Sequence, residues 1–366
     1  MLRKSKPRYS RYAELLVEYS LAVQSGWQVV VATTVEAEPL ARELSRLIGE
    51  RGAYALPRVS FGARWPVDAD WLAAAPDLGV APLEQEVYDR MDALVVVTAP
   101  RVGEKAPAAA MRRAVSALRA RGRAGEIPHV RCDYPCAYFA AQAGLSLPDY
   151  DDLFYAACLR DWAAEGRAMA PVRDALDAAS ELRIEAEGTA LTLSLEGRRA
   201  EVDDGHANVP GGEVFCCPVE DSVEGEALLD SPDGEVTGIR LRFRGGIVVD
   251  ASASVGEARL LEALETDAGA RRLGELGFGC NEGIPRPTRN VLFDEKIAGT
   301  IHLALGSGFP QLGGRNASDL HWDLLRDMRD GGRVTIDGRL AYENGRWLQA
   351  RLGRAPRSRR SRRDRA

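Results

Sequence analysis

The sequence predicts an N-terminal α/β domain with a parallel sheet, followed by a mixed α+β domain, and three observations lead to this fold class. Short β-branched runs such as WQVVVATT (27–34) and MDALVVVTAP (91–100) alternate with Ala-, Leu- and Arg-rich segments of helical period, which is typical of βαβ units. A long helical stretch then covers residues 150–182. After it, alternation of period two begins at LRIEAEGTALTLSLEG (182–197), which predicts antiparallel hairpins.

Two further period-two segments, GIRLRFRGGIVVDASAS and GRVTIDGRLAYENGRW, contain turn signals at their centres. The pairs are Gly245-Gly246 and Asn344-Gly345. Both suit two-residue hairpin turns, because these residue types adopt the positive φ angles that such turns need.

The change of pattern places a domain boundary near residues 170–183. We expect an N-terminal α/β domain over 1–175, a second domain over 176–352 that holds the candidate chemistry, and an Arg-rich disordered tail over 353–366. The stretch RAPRSRRSRRDRA at the end holds seven Arg and one Asp. Because the chain has 48 Lys and Arg against 54 Asp and Glu, the rest of the chain has a net charge of −12.

Composition excludes several classes of protein. An acidic body argues against specific nucleic-acid binding. No apolar run approaches the ~20 residues of a membrane-spanning helix, and the N-terminus lacks the features of a signal peptide, so we expect a cytoplasmic protein without membrane contact.

The six cysteines lack the paired spacing of a zinc site and are expected to be free thiols. The first strand-to-helix junction lacks the GxGxxG of a dinucleotide site.

Two of the four histidines lie close together in the second half of the chain. His302 opens the mostly apolar run HLALGSG, and His321 follows nineteen residues later. In HWD, His321 and Asp323 are two residues apart, so in an extended segment their side chains point to one face. His129 and His206 lie elsewhere and are interpreted as core or surface residues. The segment 302–323 therefore offers ligands that could converge on a metal.

Three glutamates lie in poorly solvated contexts. Glu213 stands among glycines and apolar residues in GGEVFCCPVE, Glu275 in RRLGELGFGCNEG and Glu295 in VLFDEKIAG. Burying an ionised carboxylate is costly unless it meets a cation or becomes protonated, and Lys296 is the one lysine nearby in sequence. Three Glu, one Asp and two His provide enough donors for two divalent ions that share a bridging carboxylate. From the residues alone, a metal site and a buried polar network both stay open.

Four segments resemble a known family. They are NVPGGEVFCCP (208–218), GELGFGCNEGI (274–284), LFDEKIAGTIHLALGSGFP (292–310) and GGRNASDLHWDLL (313–325). In this order they resemble landmark segments of the aminopeptidase T family of metalloaminopeptidases, which includes aminopeptidase S and thermophilic leucyl aminopeptidases. The resemblance is weaker over the first half but covers most of the chain except the tail. It implies an N-terminal α/β domain, a C-terminal domain that carries two divalent metals, and dimers that enclose the active sites.

The resemblance also implies a set of metal ligands. Carried over position by position, the family's ligands fall on Glu213, Glu275, Glu295, His302, His321 and Asp323. In the family, the glutamate that corresponds to Glu275 is both a ligand and a proposed catalytic residue. The implied cofactors are two divalent ions, and donors of these types accept Zn, Co, Mg or Mn.

One position departs from the family's pattern. Aminopeptidase T has a tyrosine, proposed to act in catalysis, seven residues after the histidine of the HLALG segment, whereas this chain has Phe309. A phenyl ring cannot donate a hydrogen bond to an oxyanion. Metal binding without peptidase activity is therefore one alternative. Glu282, in CNEG, is a nearby carboxylate without an assigned role.

The sequence thus predicts a metal-dependent aminopeptidase, a hydrolase that removes N-terminal residues from peptides with two divalent ions and an activated water. Glu275 is the expected catalytic residue, the substrate is a peptide with a free N-terminus, and the resemblance implies a homodimer. A second alternative is a non-haem Fe(II) ring-cleaving dioxygenase of similar fold, whose facial triad would be His302, His321 and Asp323. The additional glutamates favour the two-metal hydrolase, and only Phe309 supports a relative without peptidase activity.

Overall fold

The computed structural model describes residues 6–61, 74, 80–101 and 109–352. Their contacts divide the chain into two compact units. The first unit contains the described residues of Met1–Glu165, Asp203–Gly212 and Asn281–Ile297, and the second contains those of Gly166–Val202, Glu213–Cys280 and Ala298–Ala366. Two short segments from the second half of the chain therefore belong to the first unit. The predicted Arg-rich tail lies outside the described residues.

A parallel sheet forms the centre of the first unit. Its strands are β1 (Gln28–Thr34), β2 (Tyr54–Ser60), β3 (Ala93–Thr98), β4 (His129–Asp133) and β8 (Asn208–Val209). They lie in the order β2-β1-β3-β4-β8, and neighbouring strands run parallel. Every residue of β3 and all but the first of β1 are buried, as expected for a parallel sheet that is covered on both faces. The predicted parallel α/β sheet is confirmed.

Helices and short helical turns accompany this sheet. They are α1 (Arg8–Glu14) with a π-helical turn at Leu15–Ser20, a 3₁₀ turn at Val35–Ala37, α2 (Glu38–Glu50), α3 (Pro82–Arg90), α4 (Ala109–Arg123), α5 (Ala137–Gln142), α6 (Leu147–Cys158) and α9 (Val291–Asp294). Leu40, Leu44 and Leu47 recur at helical spacing on α2 and are buried, so this helix has one apolar face. At the start of α6, Oγ of Ser146 caps the helix by accepting a hydrogen bond of 3.3 Å from the backbone N–H of Asp149.

An eight-stranded antiparallel sheet lies in the second unit. Its strands are β5 (Glu181–Ala186), β6 (Thr189–Ser194), β10 (Glu224–Leu229), β11 (Ile239–Arg244), β12 (Ile247–Ser252), β16 (Arg333–Ile336), β17 (Arg339–Glu343) and β18 (Arg346–Trp347). Their order is β12-β11-β10-β6-β5-β16-β17-β18. Gly245 and Gly246 join β11 to β12 with φ angles of 57° and 71°, and Asn344 and Gly345 join β17 to β18 with 51° and 77°. Both predicted turns are confirmed.

The other sheet of the second unit positions the candidate site. Its strands are β7 (Ala200–Asp203), β9 (Glu213–Cys216), β13 (Leu273–Gly279), β14 (Thr300–Gly306) and β15 (His321–Asp327), in the order β15-β14-β13-β9-β7. Buried apolar side chains from both sheets form one core.

The helical segments of this part of the chain are α7 (Trp162–Asp177), α8 (Glu257–Leu264), a 3₁₀ turn at Pro310–Leu312 and α10 (Gln349–Leu352). The mixed second half confirms the predicted fold class. In the described part of the chain, no helix combines the length and the apolar character needed to span a membrane.

Candidate metal centre

One face of the sheet made of β9, β13, β14 and β15 carries five of the six predicted ligands. Side chains along a strand point alternately to opposite faces. On one face the core residues are Val214, Leu276, Leu303 and Leu324. Each is the sequence neighbour of a predicted ligand, and these ligands are Glu213, Glu275, His302 and Asp323. The strands that bury their apolar residues therefore gather the polar ones on the opposite face, where His321 at the start of β15 joins them.

The five side chains form two groups of potential metal ligands that share one carboxylate. Glu213, Glu275 and His302 make one group, and Glu275, His321 and Asp323 make the other, with the donor atoms of each group within 4.8 Å of one another. Nε2 of His302 lies 3.3 Å from Oε1 of Glu275 and 3.5 Å from Oε2 of Glu213. Nε2 of His321 lies 3.3 Å from Oε2 of Glu275 and 3.7 Å from Oδ1 of Asp323. The two oxygens of Glu275 thus face different histidines, as in a carboxylate that bridges two ions.

Gly277 makes room for one of these histidines. It lies opposite His302 in the β13–β14 pairing, and a Cβ atom built on it would be 2.0 Å from Cε1 of the imidazole. Such an approach is well inside van der Waals contact, so only glycine leaves space for the ring over β13. Sequence reasoning missed this residue. In GELGFG, glycine recurs at every second position after Glu275, on the same face of the strand, and this pattern was a usable signal.

The centre is buried on most sides and open at one histidine. Glu213, Glu275, His302 and Asp323 are between 1% and 8% exposed, whereas the side chain of His321 is 35% exposed. Nδ1 of His321 donates a hydrogen bond of 3.0 Å to the carbonyl oxygen of Ser307. This contact leaves Nε2 as the ligand atom and fixes the plane of the ring, which is how outer hydrogen bonds orient metal-binding histidines.

The electrostatics of the centre favour a cation. Burial disfavours the charged form of Glu275, but hydrogen bonds and charges from His302 and His321 outweigh burial and lower its pKa to about 2. Burial likewise opposes a charged imidazole, yet the hydrogen bond to Glu275 and the nearby carboxylates raise the pKa of His302 to about 10. For His321, burial is outweighed by the charge of Asp323 and by Glu275, and the pKa also rises to about 10. Three carboxylates here stabilise positive charge, which a divalent ion would supply.

Comparison with known families identifies the class of enzyme. Residues 5–347 match the family described as thermophilic metalloprotease (M29). The chain belongs to this M29 family. The match covers all of the landmark segments and both units, so the predicted family is confirmed.

Named relatives agree with this membership. Aminopeptidase 2 from Geobacillus stearothermophilus is 28% identical over an alignment of 407 positions, gaps included, that covers 92% of this chain and 97% of that protein. Aminopeptidase T from Thermus aquaticus is 32% identical over an alignment of 203 positions, gaps included, that covers 46% of this chain and 48% of that protein. The prediction of a metal-dependent aminopeptidase is thereby confirmed at the level of the family, and the dioxygenase alternative is not favoured.

Two solved structures share the fold. Wild-type AmpT from Thermus thermophilus superposes with a TM-score of 0.73 at 24% identity and covers 93% of this M29 chain and 99% of its own. A 2,5-dihydroxypyridine dioxygenase from Pseudomonas putida gives a TM-score of 0.58 at 14% identity, covering 94% of this chain and 98% of its own. At these identities both structures show the fold alone.

Glu295, the sixth predicted ligand, lies in the first unit and outside both donor groups. Its Oε1 accepts a hydrogen bond of 2.6 Å from Nζ of Lys296. Lys296 is fully buried, and its Nζ also lies 3.3 Å from Oδ2 of the buried Asp203. Sequence reasoning missed Asp203. A buried lysine requires carboxylate partners, but a partner this distant in the sequence gives no local signal.

The remaining candidate residues lie outside the donor groups. Glu282 is exposed in the first unit. His206 is exposed and its Nδ1 lies 2.7 Å from Oδ1 of Asp204, so its interpretation as a surface residue is confirmed. Phe309 lies beside the centre, with its ring centroid 5.6 Å from that of His321.

Proposed function

We propose that this M29 peptidase removes N-terminal residues from peptides with two divalent ions. Glu213, Glu275 and His302 would hold one ion, and Glu275, His321 and Asp323 the other. The observation that carries the proposal is the position of Glu275, whose two carboxylate oxygens each lie 3.3 Å from a different histidine.

The chemistry of the donors fits such ions. Each group combines one imidazole nitrogen with two carboxylates, a set that suits Zn or Co and also accepts Mn. Mg prefers oxygen ligands, so the two imidazoles favour zinc or cobalt. Glu295 as a sixth ligand rests on the family resemblance.

When bound, two ions in such a centre activate a water molecule for attack and polarise the scissile carbonyl. The residues of the chain perform the remaining tasks. Ser307 holds the His321 ring in its binding orientation, and the exposed side of His321 is the route by which a peptide reaches the centre. Glu275 is also the proposed residue to take up a proton from the attacking water and pass it to the leaving amine, a role that the family resemblance supports.

A free N-terminus offers the centre a group that an internal peptide segment lacks. Its neutral α-amine would bind one of the two ions, or its ammonium form would pair with a carboxylate that holds neither ion. Either contact would place the first peptide bond at the centre, so the proposal accounts for removal of the first residue alone.

The test combines metal analysis with hydrolysis. Elemental analysis of the purified protein should give two ions per chain, and aminoacyl-p-nitroanilides should be hydrolysed after addition of Zn, Co or Mn. His302→Ala should lower both the metal content and turnover, while Glu282→Gln, a change outside both donor groups, should alter neither. A protein with two ions that hydrolyses no aminoacyl substrate would overturn the proposed activity. A single ion in an active protein would overturn the two-metal centre.

A homodimer and a cytoplasmic location are further parts of the proposal. The family resemblance supports the first, and the composition of the sequence supports the second. Light scattering on the metal-loaded protein tests the dimer, since a mass of one chain would contradict it.

A further inference from the structure

Two phenylalanines form an aromatic surface next to the exposed histidine of the metal centre. The ring centroids of Phe215 and Phe309 are 5.3 Å apart, and those of Phe309 and His321 are 5.6 Å apart, with both pairs arranged edge to face. Both phenylalanines are only partly buried. Apolar rings therefore stay accessible beside a centre that otherwise consists of carboxylates and imidazoles.

The position of Phe215 follows from the strand that also carries a ligand. It lies two residues after Glu213 on β9, so both side chains point to the same face of the sheet. Its pairing partner on β13 is Gly277, the residue that also makes room for His302. No side chain on β13 thus separates Phe215 from His302.

The backbone of Phe309 is fixed by its surroundings. Its N–H donates a hydrogen bond of 3.2 Å to Sγ of the buried Cys217, and its carbonyl accepts hydrogen bonds of 3.0 Å from the N–H groups of Leu312 and Gly314. A Cβ atom on Gly314 would lie 2.8 Å from both Cys217 Sγ and Phe309 N. The loop is therefore closely packed, and the backbone that carries the Phe309 ring is held in place before any substrate binds.

We propose that Phe215 and Phe309 form the subsite for the side chain of the substrate's first residue, and that this subsite selects apolar side chains such as those of leucine and phenylalanine. The inference rests on the proposed function. When the scissile carbonyl and the free amine lie at the metal centre, the side chain on the same Cα lies within a few ångströms of it, and the aromatic pair is the apolar surface beside His321. An apolar side chain gains by leaving water there, whereas a charged one loses hydration without a partner.

Direct binding tests the subsite without turnover. Calorimetry on the metal-loaded protein would compare free glycine, alanine, leucine and phenylalanine, which have no amide bond for the enzyme to hydrolyse. We expect leucine and phenylalanine to bind at least about tenfold more tightly than glycine, as buried methylene groups do in other specificity pockets. In Phe215→Ala and Phe309→Ala this ratio should fall to near one, while glycine binds as before.

Control variants separate the subsite from general damage. Phe215→Leu keeps an apolar side chain and should retain most of the preference, and Val249→Ala removes exposed apolar surface from β12 in the other sheet and should change nothing. Metal content, measured for every variant, should stay at the wild-type value. Equal affinity of the wild type for all four amino acids, or equal weakening of all four in Phe215→Ala, would overturn the subsite. Failure to hydrolyse aminoacyl-p-nitroanilides with these preferences intact would instead count against the proposed function alone.

Discussion

Gly277 and His302 lie opposite each other on β13 and β14, so close that a Cβ atom on the glycine would be 2.1 Å from Nε2 of the imidazole. Gly277→Ala should therefore push His302 away from Glu213 and Glu275. We expect the loss of about one ion per chain and a fall in kcat/KM of at least about 100-fold. Even substitutions of residues that only contact a ligand lower metal affinity or activity by about 10–100-fold.

The control for this variant is another glycine-to-alanine change. Gly49 lies on α2 with no atom within 4 Å of a Cβ position, so Gly49→Ala should keep full metal content and add about 0.5–1 kcal/mol of stability. Elemental analysis and circular dichroism check both proteins. Full occupancy of both sites in Gly277→Ala would show that the ring can move without leaving the metal.

Glu275 is the single residue shared by both donor groups. Glu275→Gln keeps the size of the side chain but replaces one oxygen with an NH₂ group, which repels a cation and cannot bridge two ions. We expect turnover to fall by at least about 100-fold and metal affinity to fall at both sites. Glu213→Gln should weaken one site only. If Glu275→Gln retained wild-type turnover, its role as bridge and proton carrier would be wrong.

Metal binding should release protons. Without metal, the pKa values of His302 and His321 are raised to about 10 by Glu275 and the neighbouring carboxylates, so both imidazoles are charged at neutral pH. A divalent ion binds the neutral imidazole, which requires loss of about one proton per histidine. Apparent metal affinity should therefore rise as the pH rises from 6 towards 9.

Calorimetry in buffers of different ionisation enthalpy measures this release. We expect about two protons per chain at pH 7.5 when both sites fill, and fewer in His321→Gln. An affinity that does not change with pH would show that the imidazoles are already neutral before metal binds, or that they are not ligands.

Phe309 differs from the family's tyrosine by one hydroxyl group. Phe309→Tyr should keep the contact with His321 and add a hydrogen-bond donor beside the centre. In other enzymes, one hydrogen-bond donor to a transition-state oxyanion raises kcat by up to about 10²–10³-fold. We therefore expect kcat to rise by about tenfold or more, with unchanged metal content. A kcat at or below the wild-type value would show that another group already supplies this hydrogen bond, or that the reaction does not need it.

The sequence predicted the elements that depend on local pattern. The β-branched runs predicted β1 and β3, and the Gly-Gly and Asn-Gly pairs predicted two hairpin turns. These predictions succeed because side-chain periodicity and positive φ angles depend only on neighbouring residues. The segment around β8 shows the limit of this reasoning. Asn208 and Val209 pair with β4 in the first unit, although they follow the hairpin of β5 and β6, and such a pairing depends on contacts between distant segments.

The candidate site was likewise predictable from the sequence only in part. The alternation of ligand and core residue on β9, β13, β14 and β15 follows from the sequence, whereas the anchoring of Phe309 by Cys217 and the pairing of Lys296 with Asp203 depend on the folded chain. Cys217 had no visible signal, because a cysteine that binds one backbone N–H resembles any buried thiol. Glu295 as a ligand stays a prediction of the family resemblance.

Lys296 provides a test of stability in the first unit. Its ammonium group is fully buried between Asp203 and Glu295. Lys296→Met keeps the length of the side chain but takes the ammonium group away from the buried carboxylate of Asp203, so we expect a loss of about 3–5 kcal/mol in the free energy of unfolding. Urea denaturation in the presence of a chelator measures this loss without a contribution from metal. Asp203→Asn in the Lys296→Met background should restore part of the stability, because it removes the buried charge that has lost its lysine. The exposed pair of Arg42 and Glu38 on α2 is the control, and Arg42→Met should cost no more than about 1 kcal/mol. A cost for Lys296→Met as small as that of the control would mean that the carboxylates find another cation or take up protons when the lysine is absent.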